Sequence, residues 1–512
     1  MKYVIGIDIG TQGTKTALFD ENGSCVAEAL EKSELARPEP GAVEEDPEKQ
    51  VTSVCNTIRA CIEKSGIHAG DVAGVSIDGQ MAGVIGIGQD GKNVTPYDSW
   101  LDTRCGEYIK TMDREAGDEI IRSTGGPASY NHGPKILWWK HEHPGVYADI
   151  RSFVQPGGYA AMRLCGLSGD DAYIDSSYLH FSGFADSSTG SWNETLAKKF
   201  EVDIHKLPRI TAPNEQIGTV AAHMAGRSGL KEGTPVIAGC GDTAASFLAA
   251  GAVSDGVCVD VAGTASVFAS TTAKMIADTR SRTLGCGKSA VPGHWHPYAY
   301  INGGGMNLEW FRKEIILQGR DGGEVSFEEL NSVLNELVPA MADPMFIPHL
   351  GGRVSPSQPD IRGAWTGLTW DHRAAHLYRA MFEGVALEYG VYFSILRDLD
   401  PGFQPKEIRV TGGGGKSMVW NQLKADVLQV PVVLLNHDEG APLGSALLAG
   451  YGAGLFSDIR RTANEWIRVT NTVEPDPEKK NLYTRRIEKY RDTIDALNTI
   501  EVKYNLNIYV FF

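Results

Sequence analysis

Apolar residues alternate with polar or small ones over residues 3–19, as YVIGIDI and KTALF, and Gly10-Thr11-Gln12-Gly13-Thr14 separates the two runs. Period-two alternation on both sides of a glycine-rich polar turn predicts a β-hairpin with a polar loop. The period then changes. Val51, Val54, Ile58 and Ile62 recur at helical spacing behind Asp46-Pro47 and end at Gly66. Asp46 suits a cap, Pro47 the first helical position and Gly66 the stop. A strand is expected at 74–77. Halfway along, residues 256–268 repeat the opening order of apolar run, Asp, Gly-Thr, apolar run, which predicts an internal duplication whose second copy opens the second half. Helical spacing follows at 308–316 and 327–337, then a Gly/Pro-rich stretch at 348–363 and a long helix over about 371–396. A strand at 408–411 runs into Gly412-Gly413-Gly414-Gly415, and a helix covers about 418–428. Strands alternating with helices in both halves predict two α/β domains with a cleft between them, divided near residues 250–255.

Composition narrows the partners. A chain of 512 residues with 42% hydrophobic content buries large cores, and its net charge of −16 works against nucleic acid or an anionic membrane as partner. The apolar run at the start is broken by Asp8 and is too short for a signal-peptide core, and no later stretch approaches the length of a membrane helix. A cytoplasmic protein is expected. The eight cysteines form no Cys-x-x-Cys pair and the histidines no His-Glu-x-x-His, so free thiols are expected rather than disulfides or a zinc site.

The chemistry concentrates at strand ends. Asp8 to Lys15 offers glycines, the hydroxyls of Thr11 and Thr14, and a lysine in one tight turn, a set that can wrap phosphate oxygens with Asp8 facing a magnesium ion. A plain turn is the alternative, and the echo at Asp260 to Thr264 favours phosphate. The Gly412–Gly415 run is not a P-loop, which needs glycine where Val410 stands. Nor is it a dinucleotide fingerprint, which needs glycine where Ser417 stands. It is either a platform for adenine or ribose or a tight turn. Asp242 leaves the apolar strand 235–238 and is placed to accept a hydroxyl proton during phosphoryl transfer, or to cap the following helix. Gln80 and Met81 follow another strand, with Trp100, Asp102 and Arg104 shortly after; such groups read polyol hydroxyls, although Asp102 and Arg104 also suit a solvated ion pair.

The order of these motifs resembles the FGGY carbohydrate kinases over nearly the whole chain. Gly363-Ala364-Trp365-Thr366-Gly367-Leu368, then seven residues, then His376-Leu377 and Ala380-Met381-Phe382-Glu383, is similar to the family's C-terminal signature. Pro134-Lys135-Ile136-Leu137-Trp138-Trp139 resembles the N-terminal one, from which His132 and Trp139 depart, and Glu45-Asp46-Pro47, Gly241-Asp242 and 440–446 also look like family positions. The resemblance implies two actin-like, ribonuclease-H-like domains, 1–252 and 253–512, and ATP-dependent phosphorylation of a small sugar or polyol. It implies Asp242 as general base, Asp8 at Mg-ATP, and Thr11, Gln12, Thr14 and Lys15 as the first phosphate loop. Gly263 and Thr264 would form the second, with Gly413, Gly414 and Ser417 at the adenosine. Gly79-Gln80-Met81 resembles xylulokinases, in which the Met is followed by His and the catalytic Asp by Asn; here Ala82 and Thr243 stand instead. D-xylulose is the leading substrate expectation. Gln80, Met81, Ala82, Trp100, Asp102, Arg104, Asp242 and Thr243 are the sugar-site candidates, and a second copy of the chain is a candidate partner.

Overall fold

The opening hairpin forms as the alternation predicts. Strands β1 (Tyr3–Gly10) and β2 (Gly13–Asp20) pair antiparallel and close at Gly10 and Gly13 around Thr11-Gln12. Glycine is required at position 13, where a Cβ would lie 2.4 Å from the Glu31 carbonyl oxygen of β3 (Cys25–Lys32). The computed structural model describes residues 1–316 and 325–504; the apolar C-terminal run 508–512 lies outside the described residues. Helix α1 (Pro47–Ser65) starts where expected: the Asp46 side chain accepts from Glu48 N–H, Pro47 opens the first turn, and Gly66 ends it with φ 68°. The helices expected at 308–316 and 327–337 form as composite segments: α-helix Gly305–Trp310 runs on into a π-helical turn, Phe311–Ile316, and α-helix Phe327–Ser332 into a 3-10 turn, Val333–Glu336.

Two large sheets result, and they share one plan. The first adds β4 (Val72–Gly79), β5 (Gln216–Thr219) and β6 (Pro235–Ile237), in the order β5-β6-β4-β1-β2-β3. Helix α2 (Pro156–Cys165) and α1 cover its Ile5, Ile7 and Ile9 face. The second contains β7 (Val257–Ala262), β8 (Ser266–Ser270), β9 (Gly285–Lys288), β10 (Trp295–Ile301), β11 (Glu407–Thr411), β12 (Val432–Leu435) and β13 (Val469–Val473), in the order β9-β10-β8-β7-β11-β12-β13. From β3 to β5 and from β10 to β13 the neighbouring pairs run antiparallel, antiparallel, parallel, parallel, antiparallel in both sheets. The duplication expected from the hairpins therefore extends through all six strands of the first sheet and six of the seven in the second, where β9 is an addition.

The halves are joined by exchanged helices. Helix α3 (Asp242–Ala249) follows β6 of the first sheet, yet Phe247 packs with Val257, Val259 and Ala269 of the second. Helix α4 (Ala441–Gly452) follows β12 and lies on the first sheet, where a Cβ on Gly6 would sit 1.8 Å from the Pro442 carbonyl oxygen. The two helices cross so closely that a Cβ on Gly444 would be 2.0 Å from the Ala245 carbonyl oxygen.

The two copies of the repeat differ in phase. Asp8 lies two residues before Gly10-Thr11, whereas Asp260 lies three before Gly263-Thr264. A one-residue offset in a strand turns the side chain to the opposite face. Asp260 accordingly points away from the cleft, fully buried, with an ion pair to Lys424 and a 2.8 Å hydrogen bond from Tyr389 Oη. Removing one partner of such a pair strands a buried charge. Lys424→Met is expected to cost about 3–5 kcal/mol in urea unfolding, and Lys424→Met with Asp260→Asn to recover most of it.

Candidate active site

Three carboxylates meet at the carboxyl ends of adjacent parallel strands. Asp8 on β1 and Asp78 on β4 are register partners, and even-numbered residues of both strands face helix α4. Asp242 follows β6, next to a bridge between Gly79 and Gly241. Gly241, not Asp242, occupies the cap position of α3, which corrects the capping alternative; Asp242 is the first helical residue, and its Oδ1 accepts from Thr243 N at 2.5 Å and Thr243 Oγ1 at 3.0 Å. Burial first, then the charge of Asp8, pushes the Asp242 carboxyl up to about 7. Burial likewise raises Asp8, with a hydrogen bond to Asp78 and the charge of Lys15 opposing it. Asp78 is raised by burial and by Asp8. Like charges in a shielded site disfavour one another's ionised forms.

The first turn is braced by side chains far away in sequence. Thr11 Oγ1 donates to Gln80 Oε1 at 3.3 Å and accepts from Trp100 Nε1 at 2.8 Å, while Gln80 Nε2 donates to Glu45 Oε1 at 2.9 Å. Both ends of the Gln80 amide are thus occupied, so it supports the turn rather than presenting a free amide. Gln12 is exposed at the tip. Lys15 Nζ reaches the Glu439 carbonyl oxygen at 3.3 Å and Glu28 Oε2 at 3.2 Å. Thr14 is paired with Ile9 and buried on the α1 face, opposite Asp8; a side chain there is turned away from the cleft, contrary to the expectation for a phosphate-binding hydroxyl.

Around Asp242, Met81 covers Gly241, where a Cβ would meet Met81 Cε at 2.5 Å, and Ala82 and Thr243 are partly exposed. The Trp100 side chain is 47% exposed. Asp102 and Arg104 form no solvated pair. Arg104 Nη2 lies 2.7 Å from Glu44, 3.1 Å from Asp98 and 2.8 Å from Asp102, and its guanidinium covers Trp138 at 4.3 Å. The Glu44, Asp98 and Asp102 oxygens cluster as a cation site would, and Arg104 is the cation that fills it. Both residues act in the structure as supports for the loop carrying Trp100.

The second half assembles glycines against the second turn. Gly305 N donates to the Gly263 carbonyl at 2.9 Å and Met306 N to the Thr264 carbonyl at 3.1 Å. Gly412 and Gly414 abut Ala262, where Cβ atoms would come within 2.9 Å and 2.7 Å, while a Cβ on Gly413 would meet nothing within 4 Å. Ser417 caps the helix Met418–Leu428 and accepts from Asn331 Nδ2 at 3.3 Å. Gly303-Gly304-Gly305 and Asn331 were not among the expected site residues; the run of three glycines after a strand was the available signal.

Residues 3–249 match the N-terminal domain, and residues 258–453 the C-terminal domain, of the FGGY family of carbohydrate kinases. The chain belongs to that family. This FGGY kinase is 27% identical over 502 residues to a xylulose kinase of Bacillus subtilis, covering 96% of each chain. It is 27% identical over 461 residues to a gluconokinase of the same organism, covering 88% of each. The solved xylulose kinase from Rhodospirillum rubrum superposes with a TM-score of 0.89 at 26% identity, covering 98% of this chain and 100% of that one. The FGGY kinase is therefore a phosphotransferase that uses ATP and acts on a hydroxyl of a small sugar or polyol. Among its described residues no helix is long and apolar enough to cross a membrane. Because Thr14 faces α1 and Thr11 sits in the turn, steady-state kinetics should show KM for ATP unchanged in Thr14→Val and raised in Thr11→Val.

Proposed function

We propose that this kinase transfers the γ-phosphoryl group of Mg-ATP in line to a hydroxyl of a pentulose, with D-xylulose as the preferred acceptor and Asp242 as the general base. The observation that carries the reading is a partly exposed carboxylate with its pKa pushed up to about 7, at the strand end beside Asp8. A base poised near neutrality is suited to accept a hydroxyl proton. The hydroxyl oxygen forms the new bond to phosphorus, the bond to the β-phosphate oxygen breaks, and the proton passes to Asp242.

In this reading Thr11, Gln12 and Lys15 with the first turn, and Gly263 and Thr264 with the second, hold the phosphates. Gly413, Gly414 and Ser417 border the adenosine. The buried Asp8 Oδ1, which has no donor, fits a hard divalent cation, and that cation supplies neutralisation of phosphate charge. Met81, Ala82, Trp100 and Thr243 flank the acceptor, while Gln80, Asp102 and Arg104 act as positioning residues. The division into 1–252 and 253–512 puts the sugar and first phosphate turn in one domain and the second turn and adenosine in the other, in a cytoplasmic enzyme. Closure of the cleft would exclude water as a competing acceptor.

Similarity to xylulose kinases over nearly the full chain and the Gly79-Gln80-Met81 segment support a pentulose. An ADP-release screen over pentuloses, hexuloses, pentitols, tetritols and sugar acids should give D-xylulose the highest kcat/KM. A sugar acid or tetritol at the top would overturn that substrate and mark Ala82 and Thr243 as adaptations to another acceptor.

Two kinetic outcomes test the base. Asp242→Asn should bind ATP normally and lose about 10² to 10⁴ in kcat. The raised pKa fixes the sign of the pH effect: below about 7 Asp242 holds a proton and cannot take another. Log kcat/KM for the sugar should climb with unit slope up to about pH 7 and level off above it. A flat profile between pH 5 and 8 on the ~7 scale would remove Asp242 from the role.

A further inference from the structure

Asp78 has no role among the assigned site residues, and its surroundings are unusual for a carboxylate. It is fully buried, in register with Asp8 on the neighbouring parallel strand, and its carboxyl lies within hydrogen-bonding reach of Asp8. Asp78 Oδ2 accepts from Ser445 Oγ at 2.5 Å, a contact made by helix α4 from the other half of the chain. Asp78 Oδ1 has no donor, and neither has Asp8 Oδ1. Lys15, whose charge reaches Asp8, turns its ammonium to Glu28 and the Glu439 carbonyl. Two buried carboxyls within reach of each other must share either a proton or a cation, because an unpaired buried charge is far more costly than a paired one.

We propose that Asp78 is a second carboxylate of the divalent-cation site, facing the ion together with Asp8 and held in place by Ser445. This rests on the reading of Asp8 as the cation holder. Hard oxygen ligands of this kind suit Mg²⁺ and its probe Mn²⁺. The fixed Ser445 contact sets which oxygen of Asp78 is free, so Ser445 is a positioning residue for the ion.

The test is Mn²⁺ binding to the full-length enzyme, with free Mn²⁺ followed by electron paramagnetic resonance and no nucleotide present. Asp78→Asn should weaken Mn²⁺ binding by about 10- to 100-fold, and Ser445→Ala should weaken it less but in the same direction. Asparagine can still donate a hydrogen bond to Asp8, as a protonated Asp78 would. Wild-type affinity in Asp78→Asn would therefore show that Asp78 is only a neutral partner of Asp8 and overturn the proposal. Asp8→Asn separates the two readings: if it leaves Mn²⁺ binding intact, the assignment of Asp8 fails, and if it abolishes binding while Asp78→Asn does not, only this inference fails. Should Asp78→Asn not fold by circular dichroism, Ser445→Ala decides, with unchanged Mn²⁺ affinity counting against the proposal.

Discussion

The burial of three neighbouring carboxylates is the constraint on which the rest of this structure depends. Asp8, Asp78 and Asp242 occupy the ends of neighbouring parallel strands, where the sheet brings them together whatever their charge. Ionising all of them without a cation is unfavourable. Burial first, and then the charge of Asp8, raises the Asp242 carboxyl into the range useful for a base; in the proposed reading a divalent cation at Asp8 relieves the repulsion. The local instability is sustained by surroundings that are well packed: the α1 and α2 face of the first sheet is a continuous apolar core, and α4 covers the other face with close backbone contact at Gly6.

The duplicated sheets put equivalent turns on both sides of the cleft, but the halves have diverged in their use of charge. In the first, Asp8 faces α4 and the cleft. In the second, the aspartate has shifted by one position and is neutralised by Lys424, so it contributes to cohesion instead of chemistry. The exchanged helices give this arrangement its mechanical logic. Helix α3 starts with Asp242 at the strand ends of the first sheet and sends Phe247 onto the second, and α4 carries Ser445 from the second half onto the first. Any movement of one half against the other must therefore move groups that touch the three carboxylates.

Much of this was legible because it is local. The first hairpin, the Asp46 and Gly66 ends of α1, the strand into Gly412 and the motif order all depend on neighbouring residues in the sequence, and the family followed from them. The rest depends on tertiary contacts. The faces of Thr14 and Asp260 are decided by strand phase, which a shared residue order does not reveal. Whether Asp102 and Arg104 meet solvent or bury each other depended on Glu44, Asp98 and Trp138, up to sixty residues away. Asp78 was visible beside Gln80 but gained significance only when β4 was paired with β1. The exchange of α3 and α4 has no signal in hydrophobic periodicity, since each helix reads as buried on whichever sheet it covers.

A crystal structure with a non-hydrolysable ATP analogue, Mg²⁺ and D-xylulose tests the central claim most directly. The γ-phosphate should lie between the Thr11-Gln12 and Gly263-Thr264 turns, the ion at Asp8, and an Asp242 oxygen about 2.6–3.2 Å from the acceptor hydroxyl. A terminal phosphate bound away from both turns, or an acceptor hydroxyl out of reach of Asp242, would contradict it.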